Sequence, residues 1–438
     1  MMNRTCRMIV LGLWLMSVPL LSTAQEKQWG TQIQTFRLEN GMSLIHELDP
    51  SSKVTVVQIF LKGGTRAEPA GKAGLAYLTT RLVLEIPDQS KIQQLMDQAT
   101  RLYTGCRQDF TYITLSCLSE HFEDSLKLVA QIMRKPLFSG IRISRLKEQM
   151  ERQGKTAEDD APNLGHDTFL AAFFKDAPYA HPVFGDEESL KDIKKDDIEA
   201  FYDTHFIASN MTVVVSSDLG AEMIKGLFEE HYGPFPEGSL PDLPSFASVE
   251  APEGPLTKAK DTEQSLVATG FVLGLQSPRE YAIGSLVDCL LGKGIQSRMW
   301  DLRMGQRLAY SVQSRLTPAE LGSLLEAFLE TDESKTEQAR EALRAVITDL
   351  HAKGIDAREL EMTKIYAQAE ILRDNETKES RSFSLGHYQT MGLGYAFLDK
   401  IFAQIDAVGL EEINAFIQAN LDPAKSLEVI IGPEKWIE

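Results

Sequence analysis

The stretch GLAYLTTR at positions 74–81 places Tyr77, Thr80 and Arg81 on one side of a predicted helix, because residues three and four apart share a helical face. The leucines of the same stretch recur at helical spacing and form its apolar side. Two histidines and a glutamate at this spacing would bind zinc and activate a water molecule. A phenol, a hydroxyl and a guanidinium stand there instead, so this helix carries no zinc motif.

The histidines of the chain form no other zinc motif. There are eight of them, and the closest two lie 15 residues apart, so no pair shares adjacent turns of one helix. The sequence leaves open a site assembled from separated histidines but does not indicate one, and His181 and His205 are interpreted as packing or surface residues. Phosphate-binding loops, nucleophile elbows and dinucleotide-binding glycine patterns are absent, so intrinsic motifs alone indicate no enzyme.

The first 24 residues are predicted to be a secretory signal peptide. Arg4 and Arg7 precede an apolar run at 8–21, and small residues at 22–24 offer a cleavage site. The run is short for a membrane span of about 20 residues, which disfavours the alternative of a membrane anchor. We therefore expect an exported, periplasmic protein with no membrane span after cleavage.

The chain is strongly acidic and contains few cysteines. Its formal net charge is −18, and cleavage after Ala24 would remove two arginines and no acid, which gives −20. Such a surface repels phosphate backbones, so we expect no nucleic-acid partner. Cleavage leaves Cys106, Cys117 and Cys289, which allow at most one disulfide, and we expect buried thiols.

The chain repeats itself at an offset of 215 residues. DDIEAF at 196–201 matches EEINAF at 411–416, and each helical segment leads into a β-branched strand, MTVVVS at 211–216 and SLEVIIG at 426–432. A duplicated domain explains the helix, the spacing and the strand together. Strand-like runs mix with long helical patterns in both halves without regular alternation, which predicts an α+β fold.

The length of 438 residues also favours two or more domains. Prolines and glycines between the repeats disfavour regular hydrogen bonding and predict a linker. The predicted organisation is a signal peptide at 1–24, an N-terminal domain at 28–236, a linker at 237–257 and a C-terminal domain at 258–438.

Six short motifs occur in the order found in the insulinase family, which includes the pitrilysins and the mitochondrial processing peptidases. They are NGMSLIHE (40–47), GGTRAEP (63–69), GLAYL (74–78), EDDAP (158–162), HPVFG (181–185) and DLRMGQRLAYSV (301–312). The resemblance covers residues 30–435 and implies two similar domains, each a largely antiparallel sheet packed against helices. In the family, pairs of such units close around a chamber that holds an unfolded peptide.

The resemblance implies that the zinc site of the family is degenerate in this chain. Aligned on GLA, the two family histidines correspond to Tyr77 and Arg81, and the catalytic glutamate corresponds to Thr80. The remaining glutamate ligand corresponds to Gln153. Imidazoles and carboxylates donate lone pairs to zinc, whereas arginine has none to donate, and a threonine is no general base near neutral pH. We expect no metal or cofactor in this chain and zinc only in a partner.

The second half resembles the C-terminal motif of the family. Gly292 and Gly294 match a glycine-rich turn, and Arg303 and Tyr310 match an arginine and a tyrosine that hold substrate near the zinc of the catalytic domain. A guanidinium and a phenol can donate hydrogen bonds to peptide carbonyls or to a developing oxyanion. The alternatives are a surface ion pair for the arginine and strand packing for the tyrosine. The match fails at Arg307, where the family usually has glycine.

Small bacterial members of this family often divide the work between a zinc-bearing chain and a partner without zinc that keeps the arginine and the tyrosine. The resemblance therefore implies a non-catalytic subunit that completes the chamber for an unfolded peptide and supplies Arg303 and Tyr310 to a zinc-bearing partner. The alternative is a proteolytically inactive scaffold or peptide-binding protein of the same fold.

Overall fold

The computed structural model describes residues 31–86 and 88–433. The predicted signal peptide lies outside these residues. Within them, no helix combines the length and the apolar character that a membrane crossing requires. The described chain forms one sheet of six strands and one of five, and helices pack against both.

The first sheet is antiparallel except for one pair of strands. Its strands are β1 (Gln32–Arg37), β2 (Ser43–Leu48), β3 (Val54–Lys62), β4 (Arg101–Cys106), β5 (Phe110–Leu118) and β6 (Met211–Ser217). Their spatial order is β1-β2-β6-β3-β5-β4, and β2 runs parallel to β6. The central strand β3 reads VTVVQIFLK, an almost continuous apolar run, because both of its faces are buried.

The first half has eight described helices, several of which pack against this sheet. They are α1 (Leu75–Val83), α2 (Gln89–Asp97), α3 (Phe122–Arg134), α4 (Gly140–Asp159), α5 (Ala161–Phe174), α6 (Glu187–Asp192), α7 (Lys195–His205) and α8 (Ala221–Tyr232). Helices α1, α3 and α8 bury aliphatic and aromatic side chains against one face of the sheet. In α3 the buried residues recur every three to four positions from Phe122 to Met133, so one stripe of the helix faces the core.

The second sheet is also largely antiparallel. Its strands are β7 (Leu256–Ala259), β8 (Gln264–Leu273), β9 (Ser311–Thr317), β10 (Ser323–Asp332) and β11 (Leu427–Gly432). Their spatial order is β7-β11-β8-β10-β9, and β7 runs parallel to β11. The predicted α+β class with antiparallel sheets is therefore confirmed.

The helices of the second half pack mainly against this sheet. They are α9 (Pro278–Gly292), α10 (Trp300–Met304), α11 (Thr336–Lys353), α12 (Ala357–Asp374), α13 (Lys378–Thr390), α14 (Phe397–Ala407) and α15 (Leu410–Asn420). Helix α9 begins at a capping box formed by Ser277 and Glu280, and most of its residues are buried. It lies at the centre of the second core, between the sheet and the helices α12 and α14.

The predicted repeat of a helix followed by a strand is present in both halves. Helix α7 leads to β6, and α15 leads to β11. Each of these strands forms the parallel pair of its own sheet and an antiparallel pair with the strand on its other side. The two sheets therefore share one topology at the repeated segment.

Each sheet has one face covered by a helix from the other half of the chain. Helix α5 lies on the second sheet, where a Cβ on Gly270 would be 2.7 Å from the ring of Phe169. Helix α13 lies on the first sheet, where a Cβ on Gly386 would be 2.1 Å from the ring of Phe60. The two helices begin at positions 161 and 378, 217 residues apart, which is close to the offset of the repeat. The halves therefore exchange equivalent helices.

The segment between the sheets is irregular but held against the protein. Residues 236–255 contain no helix or strand. Arg66 Nε donates a hydrogen bond of 2.7 Å to the carbonyl of Pro244, and Phe246 packs edge-on against Tyr179 with ring centroids 4.8 Å apart. The predicted linker is therefore a docked segment.

The three cysteines of the described chain are free and buried, as expected. Burial raises the pKa of Cys117 to about 11 and that of Cys289 to about 12. Burial also raises the pKa of Cys106 far above its usual value. All three thiols stay protonated near neutral pH and are poor nucleophiles.

Candidate functional site

Helix α1 carries three of the four degenerate zinc positions, and buried Glu68 fixes its start. The Glu68 carboxylate accepts a hydrogen bond of 2.9 Å from the backbone N–H of Ala76, in the first turn of the helix. His181 Nδ1 lies 3.3 Å from the other carboxylate oxygen. Burial raises the pKa of Glu68, and these hydrogen bonds only partly oppose it.

The loop at 181–185 docks against the start of α1 through two glycines. Gly74 and Gly185 have φ values of +89° and +67°, and a Cβ on Gly185 would lie 2.4 Å from the carbonyl oxygen of Ala73. This close approach places Phe184 edge-on against Tyr77, with ring centroids 5.2 Å apart. The loop therefore forms one wall beside the degenerate site.

Thr80, which corresponds to the catalytic glutamate of the family, is inaccessible. Its side chain is fully buried, and Oγ1 donates a hydrogen bond of 2.8 Å to the carbonyl of Ala76 in the same helix. The hydroxyl is thus satisfied within α1. It cannot orient a water molecule or contact a substrate.

The Tyr77 hydroxyl interacts with the residues at two other degenerate positions. Gln153 of α4 lies within hydrogen-bonding reach of this hydroxyl, and the charge of Arg81 acts on it. Burial raises the pKa of Tyr77, so the phenol stays protonated near neutral pH. Gln153 therefore lies against Tyr77, whereas Thr80 is bonded within α1.

These residues do not fit a zinc ion. Zinc takes imidazole, thiolate or carboxylate ligands, and none of the four positions supplies one. Across the described chain, histidine, cysteine, aspartate and glutamate form no group of three that could hold a metal. Half-buried Arg81 adds a positive charge where a metal would need lone pairs.

A cavity of about 710 Å³ opens beside Tyr77, between the two halves of the chain. The first half contributes α1, β4, β5 and the turn between these strands, α4, α5 and the loop at 181–185. The second half contributes the end of β9 and α13. The aromatic lining of the cavity consists of Tyr77, Phe110, Tyr112, Phe184, Phe383 and His387. The volume is that of a site for a small ligand or a few peptide residues.

His166 and Arg315, which line the cavity, belong to a buried ionic cluster that the sequence does not predict. Glu326 accepts hydrogen bonds of 2.8 and 3.0 Å from Arg315, and it lies 2.8 Å from His166 Nδ1. Burial favours a raised pKa for Glu326, but the bonds to His166 and Arg315 outweigh burial and lower it. Burial raises the pKa of the neighbouring Asp167. No sequence signal could have found this cluster, because His166 and Glu326 are 160 residues apart.

Arg303 and Tyr310 lie outside this cavity. Arg303 is exposed on α10, with its guanidinium 5.1 Å from the ring centroid of Trp300. The Tyr310 side chain is 56% exposed at the start of β9. The end of β9 that reaches the cavity begins at Arg315, five residues or about 17 Å further along the strand. The chain therefore does not bring this pair to its own degenerate zinc site.

The glycine-rich turn before α10 holds two chain segments in close contact. A Cβ on Gly292 would lie 2.3 Å from the backbone nitrogen of Ser314 in β9, and a Cβ on Gly294 would lie 2.6 Å from the ring of Tyr366. Arg307, where the family pattern has glycine, has a φ of +56°. The turn therefore keeps a left-handed conformation that favours glycine even though the residue has changed.

Two family models match consecutive parts of the chain. The model described as Insulinase (Peptidase family M16) matches residues 44–187. The model described as Peptidase M16 inactive domain matches residues 192–366. The first match includes all four degenerate zinc positions, three on α1 and Gln153 on α4. The second match includes Arg303 and Tyr310.

Individual relatives agree with these matches over most of their length. The chain is 24% identical to the non-peptidase homolog YmxG of Helicobacter pylori, over 86% of this chain and 89% of that protein. It is 23% identical to the uncharacterized zinc protease YmxG of Bacillus subtilis, over 87% of this chain and 94% of that protein.

A solved structure supports the fold. The peptidase M16 inactive domain from Pseudomonas fluorescens aligns with a TM-score of 0.82 and 21% identity, over 92% of this chain and 98% of that chain. The conclusion rests on the two matched models, on the two related sheets and on the replaced zinc ligands. The chain belongs to the insulinase (peptidase M16) family, as a homologue in which the zinc-binding positions are replaced.

Proposed function

We propose that this chain is the non-catalytic subunit of an exported, heteromeric M16 zinc peptidase. Its partner carries the zinc motif and performs the hydrolysis. This chain completes the chamber that encloses an unfolded peptide and supplies Arg303 and Tyr310 to the partner's active site. The predicted signal peptide at 1–24 sends the subunit to the periplasm, where the partner would also be found.

The exposure of Arg303 and Tyr310 carries this proposal. Both residues lie in the second half, outside the cavity beside the degenerate site, and Tyr310 is more than half exposed. Within the described chain neither side chain has an ion pair or a side-chain hydrogen bond, so both can bind a ligand without losing a partner. The Arg303 guanidinium lies over the Trp300 ring, and this contact restricts its direction.

The degenerate zinc site supports the proposal that the partner, and not this chain, hydrolyses the peptide. Thr80 is buried and bonded within α1, and Arg81 replaces a ligand with a cation. The isolated chain should therefore hold far less than one zinc per molecule and cleave no unfolded peptide. Stoichiometric zinc that is lost on replacing Tyr77 or Gln153 would contradict the proposal.

Reconstitution with a zinc-bearing family member from the same organism tests the role of the pair. Arg303→Ala and Tyr310→Phe should lower peptide cleavage while assembly and the partner's zinc content stay unchanged. Loss of a hydrogen bond to the oxyanion would lower kcat by about 10²–10³-fold. Loss of a hydrogen bond to the peptide backbone costs about 1 kcal/mol and would appear mainly in KM.

A matched control is Arg344→Ala, which removes an exposed arginine from α11 and should leave cleavage unchanged. Unchanged kinetics for both Arg303→Ala and Tyr310→Phe in an intact complex would contradict the proposal. That result would favour the alternative, a proteolytically inactive scaffold or peptide-binding protein of the same fold.

A further inference from the structure

Arg307 replaces a glycine of the family pattern where the backbone keeps the left-handed conformation that favours glycine. Its φ is +56°, a conformation that a Cβ disfavours. The side chain is exposed, and within the described chain its guanidinium has no ion pair or hydrogen bond that would compensate for this strain. Ala99 and Lys175 are the other described residues with a Cβ and a positive φ, and both lie in the first half. Uncompensated strain of this kind is often found at functional sites.

The turn that carries Arg307 begins at Arg303 and is closed by backbone hydrogen bonds. The Leu308 N–H donates to the Leu302 carbonyl at 2.8 Å, so the two arginines lie just inside a directly bonded pair. Lys335 Nζ donates to the Arg307 carbonyl at 3.1 Å and helps to hold the backbone there. All residues from 303 to 307 are exposed. The two arginines therefore belong to one short turn that a ligand can reach.

Arg307 lies near both members of the predicted substrate-binding pair. The bond between Leu302 and Leu308 keeps the Cα atoms of Arg303 and Arg307 within about 14 Å, because consecutive Cα atoms are about 3.8 Å apart. Tyr310 follows Arg307 by three residues, or about 10 Å along an extended chain. An extended peptide covers about 14 Å with roughly four residues. A peptide held by Arg303 and Tyr310 can therefore place a nearby side chain at Arg307.

The turn is positively charged although the chain as a whole is acidic. Residues 302–310 contain two arginines and no acidic residue, whereas the net charge of the chain is −18. The neighbouring carboxylates of Asp301 and Glu330 accept hydrogen bonds from Gln306 and Ser311, at 2.9 and 2.7 Å. Two like charges in one turn favour the binding of an anion, and the planar fork of a guanidinium matches the two oxygens of a carboxylate. In a chamber that holds a peptide, an aspartate or glutamate side chain supplies such a carboxylate.

We propose that Arg307 selects peptides with an aspartate or glutamate side chain near the bond that the partner's zinc cleaves. This role rests on the proposed function, in which Arg303 and Tyr310 are supplied to the partner's active site. Those two residues hold the peptide, and the Arg307 guanidinium forms an ion pair with the acidic side chain. A family member with glycine at this position has no side chain to make that contact, so the preference belongs to this chain.

Matched peptides test the preference in the reconstituted complex with the zinc-bearing family member. A neutral peptide, acetylated and amidated so that its termini carry no charge, is cleaved first, and mass spectrometry identifies the cleaved bond. Glutamate and glutamine variants are then compared at each of the four positions on either side of that bond. At one position or more, kcat/KM should be about tenfold higher for glutamate, the effect of one charge-assisted hydrogen-bonded pair. Ratios near one at every position would overturn the proposal.

Substitutions at position 307 assign the preference to this side chain. Arg307→Gln removes the charge and keeps the Cβ, and Arg307→Gly restores the residue of the family pattern. Both should bring the ratio of kcat/KM for glutamate and glutamine peptides close to one, and Arg307→Lys should retain part of the preference because it retains the charge. The matched control Arg358→Gln removes an exposed arginine from α12 and should leave the ratio unchanged. A preference that survives Arg307→Gln would refute the role of Arg307.

The same complex separates this role from the proposed function. Arg303→Ala and Tyr310→Phe should lower the cleavage of glutamate and glutamine peptides alike. If they do so while the glutamate preference is absent or survives Arg307→Gln, only the role of Arg307 is disproved. If neither lowers cleavage in an intact complex, the proposed function fails, and the role of Arg307 fails with it.

Discussion

At the residue scale, Thr80 and Arg307 show two ways in which a chain accommodates a replaced functional residue. Thr80 is buried and its hydroxyl is bonded to the Ala76 carbonyl, so a position used for catalysis in the family has become part of the helix packing. Arg307 keeps a φ of +56° although it has a Cβ, because Lys335 Nζ donates to its carbonyl and the turn into β9 sets the backbone. The threonine is accommodated with its hydroxyl hydrogen-bonded, whereas the arginine leaves a strained backbone at position 307.

Arg307→Gly should therefore stabilise the protein. Removing the Cβ relieves a left-handed conformation that costs about 1–2 kcal/mol, and the greater freedom of glycine in the unfolded chain offsets part of this gain. We expect the free energy of unfolding to rise by about 0.5–1 kcal/mol in urea titrations. The control Arg307→Ala removes the guanidinium but keeps the Cβ, and it should give no such gain. Equal stabilisation by both changes would show that the side chain, not the backbone, is responsible.

At the element scale, α13 contributes a phenylalanine and a buried histidine to the aromatic wall of the cavity. His387 lies among the rings of Phe110 and Phe383, with centroids 5.5 and 6.2 Å away, and its Nδ1 is buried without a hydrogen-bond partner in the described structure. Burial, assisted by the charge of Arg107, lowers the pKa of His387 to about 4. The ring is neutral in the folded protein throughout the range in which an unfolded histidine becomes protonated.

Stability should consequently fall as the pH drops from about 6.5 to 4. The unfolded chain binds a proton at His387 in this range and the folded chain does not, so acid favours unfolding. The loss from this residue reaches up to about 3 kcal/mol, since one pKa unit corresponds to 1.36 kcal/mol. His387→Phe should remove this part of the pH dependence in unfolding titrations, whereas His351→Gln, outside the aromatic cluster, should retain it. Identical pH profiles for His387→Phe and the unmodified protein would contradict the assignment.

At the scale of the whole molecule, the two halves are joined by the exchanged helices and by buried ion pairs. The side chains of Arg381 and Glu47 are 6% and 0% exposed and form a hydrogen-bonded ion pair between α13 and β2. Ser216 and Thr31 also donate to the Glu47 carboxylate, each at 2.9 Å. The cavity depends on this arrangement, because its walls come from both halves.

Neither half should fold stably alone. Separation at residue 236 would expose the apolar face of α5, whose Phe169 and Phe173 are buried against the second sheet, and it would also uncover one face of the first sheet. We expect residues 25–236 and 237–438 to lack a cooperative melting transition when produced separately and to associate when produced together. Phe169→Asp should prevent that association. A cooperative transition in either fragment alone would disprove the interdependence.

Much of the architecture and the loss of zinc chemistry could be predicted from local patterns. The strand and helix periodicities predict an α+β chain, and the repeated helix and strand predict two related sheets. The chemistry of Tyr77, Thr80 and Arg81 excludes a zinc motif wherever the helix lies, because the identity of a side chain determines whether it has a lone pair to donate. These properties depend on residues that are close together in the chain.

Other features depend on contacts between distant residues and were decided by the tertiary structure alone. The exchange of α5 and α13, the aromatic cavity and the cluster of Glu326 with Arg315 and His166 join segments from different halves, whose pairing has no local sequence signal. The burial of Thr80 and the approach of Gln153 to the Tyr77 hydroxyl follow from how the helices, α1 and α4 among them, pack together. Side-chain type determines which chemistry is possible, whereas packing determines which side chains meet and which of them solvent or a ligand can reach.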